Sequence, residues 1–306
     1  MEFKHISVLA DEVIENLNIK PDGIYVDLTL GKGGHSKRIL ENLSENGRLI
    51  ALDQDQDALN AAKENLSDFS NVILVKSNFE NIDRVLDDLG ISKIDGALMD
   101  IGVSSYQIDN ADRGFSYMHD GPLDMRMDTG NELTAEKIVN DYSLDELQKI
   151  FSNYGEERFS RTIARKIVET RDEQRIDTTF KLRDLINKSV RSNEAHPEKR
   201  VFQALRIEVN RELEVLENTL DKVIDHLNIG GRLCVITFHS LEDRIVKNTF
   251  KELEKDCICP PGLPVCICDH EAKVKTINKK PIIAGKKELK ENSRAKSAKL
   301  RVCQRI

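Results

Sequence analysis

Asp27-Leu28-Thr29-Leu30-Gly31-Lys32-Gly33-Gly34-His35-Ser36 decides the fold, because it reads as a strand running straight into a glycine turn and then a helix. Ile24-Tyr25-Val26-Asp27-Leu28 is a short β-branched and aromatic run between Pro21, Gly23 and the glycines, the pattern of a buried strand. The helix after it starts near His35 or Ser36 and turns Ile39, Leu40 and Leu43 inward. Three glycines in four positions permit positive φ and let backbone N–H groups approach a ligand at the positive end of that helix. Gly31-x-Gly33-Gly34 is not the full dinucleotide fingerprint, which speaks against a pyrophosphate. Arg48-Leu49-Ile50-Ala51-Leu52 is a second strand, and it ends in Asp53, 22 residues after Gly31. A carboxylate at that tip accepts hydrogen bonds from ribose hydroxyls and repels a 2′-phosphate. The plain alternative is a solvated acid in Asp53-Gln54-Asp55-Gln56-Asp57.

Outward from this stretch the same unit repeats. A first helix is expected over residues 5–19, with Val8, Leu9, Val13 and Leu17 on one side. Helix 57–66 follows the second strand, Val72-Ile73-Leu74-Val75 is a third strand leading to Phe79, and helix 80–89 leads to a fourth, Asp95–Met99, ending at Asp100. Short apolar strands separated by helices imply an α/β fold with a parallel Rossmann-like sheet and ligands at the carboxyl ends of the strands. From Gln107 to about Asn228 no strand pattern is visible, which implies an inserted all-helical domain. Ser143-x-x-Glu146 is a capping box for a helix to about Asn153. Phe159, Ile163 and Ile167 mark another, with Arg158, Arg161, Arg165 and Lys166 outside. Pro197 opens a long helix in which Phe202, Leu205, Val209, Leu213, Leu216, Leu220, Val223 and Leu227 form a stripe. That stripe packs on its own domain or on a second copy of the chain in a homodimer. Gly230-Gly231 stops the helix, Arg232–Phe238 is a fifth strand, helix 241–254 follows, and Leu300–Cys303 closes as an edge strand. The expected domains are residues 1–108 and 211–306 for the split sheet domain, with residues 109–210 as the helical, substrate-recognising insertion.

The chain has 306 residues, 39% apolar and 32% charged, without tryptophan, which suits a soluble globular protein of two modest domains. It shows no apolar run of membrane-spanning length and no signal-peptide pattern at Met1-Glu2-Phe3-Lys4-His5, so the expected location is the cytoplasm, with no membrane partner. The net charge of −7 is unevenly placed: residues 273–306 carry 12 basic and 2 acidic residues, leaving −17 on the rest. A basic strip of that kind is either a phosphate-contacting surface or a solvated tail. Cys257, Cys259, Cys266 and Cys268 form two Cys-x-Cys units across a proline turn, which reads either as a tetrahedral zinc site or as free thiols. Cys234 reads as a small core residue. His35 and His239 sit at ligand-side positions, and His196 is a helix-entry residue.

Several blocks together resemble the bacterial RsmH (MraW) family of ribosomal RNA cytosine-N4 methyltransferases: Gly31–Ser36, Asp100-Ile101-Gly102-Val103-Ser104-Ser105-x-Gln107, Arg113-Gly114-Phe115-Ser116, Asp120–Asp128, Arg200–Arg206, Phe238–Arg244 and Ser293–Arg301. They run in family order from near Asp27 to the C-terminus. The Cys-x-Cys segment is a departure that only some members share. The resemblance implies S-adenosylmethionine in place of a dinucleotide, with Gly33, Gly34, His35, Asp53, Phe79, Asp100 and Gln107 as cofactor contacts. Its implied substrate is one cytidine in the decoding region of 16S ribosomal RNA, within the assembled 30S subunit. The N4 lone pair of cytosine is delocalised into the ring, so an acceptor for the amine hydrogens has to localise it. Asp100 is the candidate orienter, with a purely cofactor-binding role as its alternative. Arg113, Asp120, Asp124, Arg126 and Asp128, and Arg294 and Lys296 in the tail, are candidates for gripping the flipped base and its phosphates. For the first five the competing reading is a salt-bridged framework. Two other classes share the pattern: a dehydrogenase, for which no second dinucleotide half is visible, and a non-catalytic RNA-binding assembly factor.

Overall fold

The computed structural model describes residues 7–190, 196–259, 267, 268 and 270–306. Helix α1 spans Ala10–Leu17 and is shorter than expected because Leu9 and Asn18 flank it in the left-handed conformation, at φ 53° and 50°. The alternation follows as β1 (Ile24–Asp27), α2 (Gly34–Leu40), β2 (Arg48–Asp53), α3 (Gln56–Asn65), β3 (Val72–Lys76), α4 (Ile82–Asp88) and β4 (Ile94–Asp100). Strands β1, β2 and β4 are short apolar runs that bury both faces, as the interior of a sheet covered by helices requires, whereas β3 at the sheet edge is only half-buried. Gly96 in β4 gives Tyr25 its room, since a Cβ there would lie 2.7 Å from the buried ring.

Residues beyond β4 form helices: α5 (Ser105–Asp109), α6 (Ala135–Asp141), α7 (Leu144–Asn153), α8 (Ser160–Arg171), α9 (Thr179–Ser189) and α10 (Pro197–Asn210). Ser143 and Glu146 close the expected capping box on α7. Phe159 corrects the expectation for α8: it precedes the first turn and is exposed, while Ser160, Ile163, Ala164 and Ile167 face inward. The long helix expected from Pro197 is two helices. Arg211 adopts φ 51°, and α11 (Glu212–His226) begins after it. Tertiary hydrogen bonds explain the break: Asn210 donates to the Met125 carbonyl and accepts from the Met127 N–H, and Arg206 forks onto Glu212 at 2.9 Å through both nitrogens. The stripe is thereby divided. Phe202, Leu205 and Val209 sit in the helical core, while Leu216, Leu220 and Val223 sit in the sheet core, so this apolar face is buried within the chain.

Strand β5 runs Leu227–Thr237, so Gly230 and Gly231 lie inside it, at a register shift opposite Ile94 and Gly96, rather than stopping a helix. Helix α12 (Ser240–Leu253), β6 (Val274–Thr276), α13 (Lys286–Glu291) and β7 (Lys299–Arg305) complete the chain. The sheet order is β3-β2-β1-β4-β5-β7-β6. β7 is antiparallel to both neighbours and lies inside the sheet, which corrects the expected edge strand; the edge is β6. The fold is thus a seven-stranded Rossmann-like α/β sheet interrupted by helices. Two compact units result: Met1–Gly102 with Leu213–Ile306, and Val103–Glu212. No helix among the described residues is long and apolar enough to cross a membrane.

Candidate active site

Three carboxylates end the central parallel strands: Asp27 on β1, Asp53 on β2 and Asp100 on β4. The strand order places β1 between β2 and β4, so the chain carries these groups to one end of the sheet. Asp53 clasps the glycine turn. Its Oδ2 accepts from the Gly31 N–H and its Oδ1 from the Asp55 N–H, both at 2.9 Å. Burial pushes its carboxyl up to about 6, against those two hydrogen bonds and with help from the nearby Asp55 and Asp27 charges. A carboxylate has about four lone-pair sites, so two more donors can be received there.

Asp27 is fully buried. It accepts from the Ser36 hydroxyl at 2.6 Å and from the Thr29 N–H at 3.1 Å. Burial raises its carboxyl above the usual range despite the Ser36 bond. The Thr29 hydroxyl in turn accepts the Asp100 N–H at 2.6 Å, which ties the turn to the end of β4. His35 is 6% exposed, its Nε2 lies 3.6 Å from Asp100 Oδ2, and neither ring nitrogen has a hydrogen-bond partner. Asp100 Oδ1 is likewise buried and unpartnered. Buried polar atoms left open cost about 1–3 kcal/mol each, so their clustering at one strand end marks a ligand-binding surface. The turn is shaped for close approach: Gly33 sits at φ 81°, and a Cβ on Gly34 would lie 2.2 Å from Ser7 Oγ.

Phe79 follows β3, half-buried against the sheet core, where Asn78 caps the short turn by accepting from the Glu80 N–H at 2.9 Å. Gly33, Gly34, His35, Asp53, Phe79 and Asp100 therefore all belong to the sheet unit, at strand ends or on the turn. Asp27, Thr29 and Ser36 join them, and none of the three was singled out by sequence. The available signal was an acid closing an otherwise apolar strand. Gln107 belongs to the helical unit, where its amide oxygen accepts from the Ser104 N–H at 3.0 Å in a capping box.

The substrate-gripping candidates of the helical unit are bound into its own framework. Arg113 is 8% exposed and donates to the Arg126 and Met127 carbonyls at 2.9 and 3.1 Å. Arg126 forks onto Asp124 at 2.8 and 2.7 Å and reaches the Thr129 and Asn131 carbonyls. Burial works to raise the Asp124 carboxyl, but the Arg126 contacts outweigh it and hold the group below the usual range. Asp120 accepts from the Phe180 N–H at 3.2 Å and Asp128 from the Gly130 N–H at 3.0 Å. Arg294 and Lys296 are exposed on the turn before β7, and Lys296 borders a cavity of about 280 Å³ with Phe238, His239 and Leu289. Cys257, Cys259 and Cys268 bring their sulfurs within 4.8 Å of one another, while Cys266 lies outside the described residues. Cys234 is a fully buried core residue, and burial pushes its thiol far up.

Comparison with known proteins places these features in context. The MraW methylase family matches residues 2–306. "Ribosomal RNA small subunit methyltransferase H" of Clostridium botulinum (strain Kyoto / Type A2) is 58% identical over 309 residues, covering 100% of both chains. The protein of the same name from Lachnospira eligens is 57% identical over 311 residues, covering 100% of this chain and 99% of that one. "Ribosomal RNA small subunit methyltransferase H 2" of Agathobacter rectalis is 56% identical over 308 residues, covering 99% and 98%.

Proposed function

This chain belongs to the MraW methylase family, and on that premise we propose that it transfers methyl from S-adenosylmethionine to the N4 amine of one cytidine in the decoding region of small-subunit ribosomal RNA. The observation that carries the reading is the cluster of open, buried polar atoms at His35 and Asp100, beside an Asp53 that still has lone pairs to offer. The name shared by the relatives supplies the substrate class. The N4 position, the single cytidine and the assembled 30S subunit in the cytoplasm as the working substrate come from the sequence resemblance.

The residues divide the work by chemistry. Asp53 receives two ribose hydroxyls in addition to Gly31 and Asp55, and Phe79 offers an apolar face to adenine. Gly33 and Gly34 let the backbone approach closely. Bound S-adenosylmethionine supplies an electrophilic methyl on a sulfonium. Asp100 accepts a hydrogen of the cytosine amine, which localises the nitrogen lone pair, and its Oδ1 is the atom that holds the departing proton. His35, its Nε2 3.6 Å from Asp100 Oδ2 and without a hydrogen-bond partner, places a second polar group beside that carboxylate. Residues 109–210 are proposed to recognise the RNA, with the basic segment 273–306 adding phosphate contacts. The test supplies the full chain with S-adenosylmethionine and small subunits lacking the modification, and reads digested RNA by mass spectrometry. Methyl on N4 of one cytidine is expected. Methyl on C5 or a ribose oxygen would overturn the N4 assignment, and cofactor-independent RNA binding without methyl transfer would favour an assembly factor.

A further inference from the structure

Between α12 and β6 the described residues of segment 254–273 hold no helix or strand, and the Lys273 N–H donates to the Leu253 carbonyl at 2.8 Å. A loop of that length inside a compact unit is costly to order unless something crosslinks it. Cys257, Cys259 and Cys268 lie on it, and their three sulfurs converge within 4.8 Å. We propose that these three thiols form a structural zinc site, independent of the methyl-transfer reading, that ties residues 257–259 after α12 to residue 268 before β6.

Two separate features of the geometry point to a metal. The first is spacing. Four sulfurs about 2.3 Å from a tetrahedral zinc are about 3.8 Å apart along each edge of the tetrahedron. Cys257 and Cys268 Sγ atoms are 3.7 Å apart, which matches such an edge and is far beyond the roughly 2 Å of a disulfide. The second is hydrogen bonding. Each sulfur accepts one backbone N–H: Cys268 from Ile258 at 3.5 Å, Cys259 from Ile267 at 3.4 Å, and Cys257 from Cys259 at 3.4 Å. Three such donors on three converging sulfurs orient ligands as the surrounding hydrogen bonds of metal sites do. Two of the donors, Ile258 and Ile267, have exposed side chains at 59% and 76%, so these residues are placed by their backbone bonds and not by burial. Soft sulfur donors select zinc among the common divalent ions. The site is structural because its sulfurs lie between α12 and β6, at the sheet edge opposite β3, whereas the proposed methyl-transfer residues His35 and Asp100 follow β1 and end β4.

Full-length chain purified under reducing conditions with zinc in the growth medium is the test material. Elemental analysis should find about one zinc per chain, and reduced, metal-free protein given cobalt should develop thiolate-to-cobalt charge-transfer absorption. Cys257→Ser, Cys259→Ser and Cys268→Ser should each lower the zinc kept after dialysis against a weak chelator by about tenfold or more, on the scale of a lost first ligand. To separate metal binding from folding, wild-type protein is also alkylated with iodoacetamide in the presence and absence of zinc. Zinc should protect these three cysteines at least about tenfold in rate while the circular dichroism of the sheet is unchanged. Wild-type protein that takes up neither zinc nor cobalt, equal alkylation with and without zinc, or serine variants that keep full zinc would each overturn the site.

Discussion

Asp53 carries the sharpest prediction, because its carboxyl is raised to about 6 by burial and its proposed ligand, a pair of ribose hydroxyls, needs the ionised form as acceptor. Cofactor affinity should therefore fall as pH falls through 6. With that midpoint the group is about nine-tenths ionised at pH 7 and about one-tenth ionised at pH 5, so Kd should rise about tenfold, or about 1.4 kcal/mol, between the two. The sign in the unliganded chain is the reverse. A carboxyl whose folded value lies above its unfolded one stabilises the fold fully below the unfolded value and loses that contribution as pH rises through about 6. Ligand binding and unliganded stability should thus move in opposite directions over this window. The assay is calorimetry with S-adenosylmethionine from pH 5 to 8 in buffers of different ionisation enthalpy. Near pH 6, binding should release about half a proton. Asp27 titrates upward as well, so Asp53→Asn serves as the control: the variant should bind more weakly at pH 7, and its profile should lose the tenfold slope. A wild-type Kd that is level from pH 7 to 5, or a slope that survives in Asp53→Asn, would refute the reasoning.

Asp100→Asn keeps the Thr29 bond to its backbone N–H and should fold normally, while single-turnover methyl transfer falls by a factor on the order of 10²; an unchanged rate removes the carboxylate from the chemistry. Replacing the exposed Lys286, Lys287, Lys290 and Lys296 by glutamine should flatten the salt dependence of RNA binding by about 0.7–0.9 log units for every lysine that sits on a phosphate, and an identical slope would assign the strip to solvent. Arg126→Met should cost about 1–3 kcal/mol in urea unfolding, since it removes the fork onto Asp124 and leaves that carboxylate the backbone N–H of residue 126; a change within about 0.5 kcal/mol would show that the fork does not hold the fold.

What the sequence made legible depended on whether the determining contacts were local. Strands β1 to β4 are short apolar runs bounded by polar or glycine turns, and their carboxyl ends carried Asp53, Phe79 and Asp100 into view. Strand β6 escaped notice because Val274-Lys275-Thr276 is too short to show a period, with only Val274 buried. The break at Arg211 has no local signal: no glycine or proline marks it, and the bonds that enforce it come from Asn210 to residues more than 80 positions away. The same distinction governs the site. Asp27 looked like the tail of a strand because its partner Ser36 meets it only after the glycine turn has reversed the chain. For Arg113, Asp124 and Arg126 the charges are visible in sequence, whereas the carbonyls and carboxylate they meet within the fold are not.

The charge arrangement around the glycine turn bears on which nucleotide the sheet accepts. Asp53 is raised partly by the neighbouring Asp55 and Asp27 charges, and Asp27 partly by Asp100, so the carboxylates repel one another across the strand ends. A pyrophosphate would bring two more negative charges into that cluster. The Gly31-x-Gly33-Gly34 turn lacks the spacing that offers a pyrophosphate its usual row of N–H donors in compensation. A ligand with a ribose and a positive centre does the opposite. In the proposed binding mode its hydroxyls would use the lone pairs that Gly31 and Asp55 leave on Asp53, and its cation would lower the mutual repulsion of Asp27 and Asp100. The incomplete fingerprint and the crowded acids therefore favour the same proposed ligand chemistry, whose binding would relieve the repulsion among the three carboxylates.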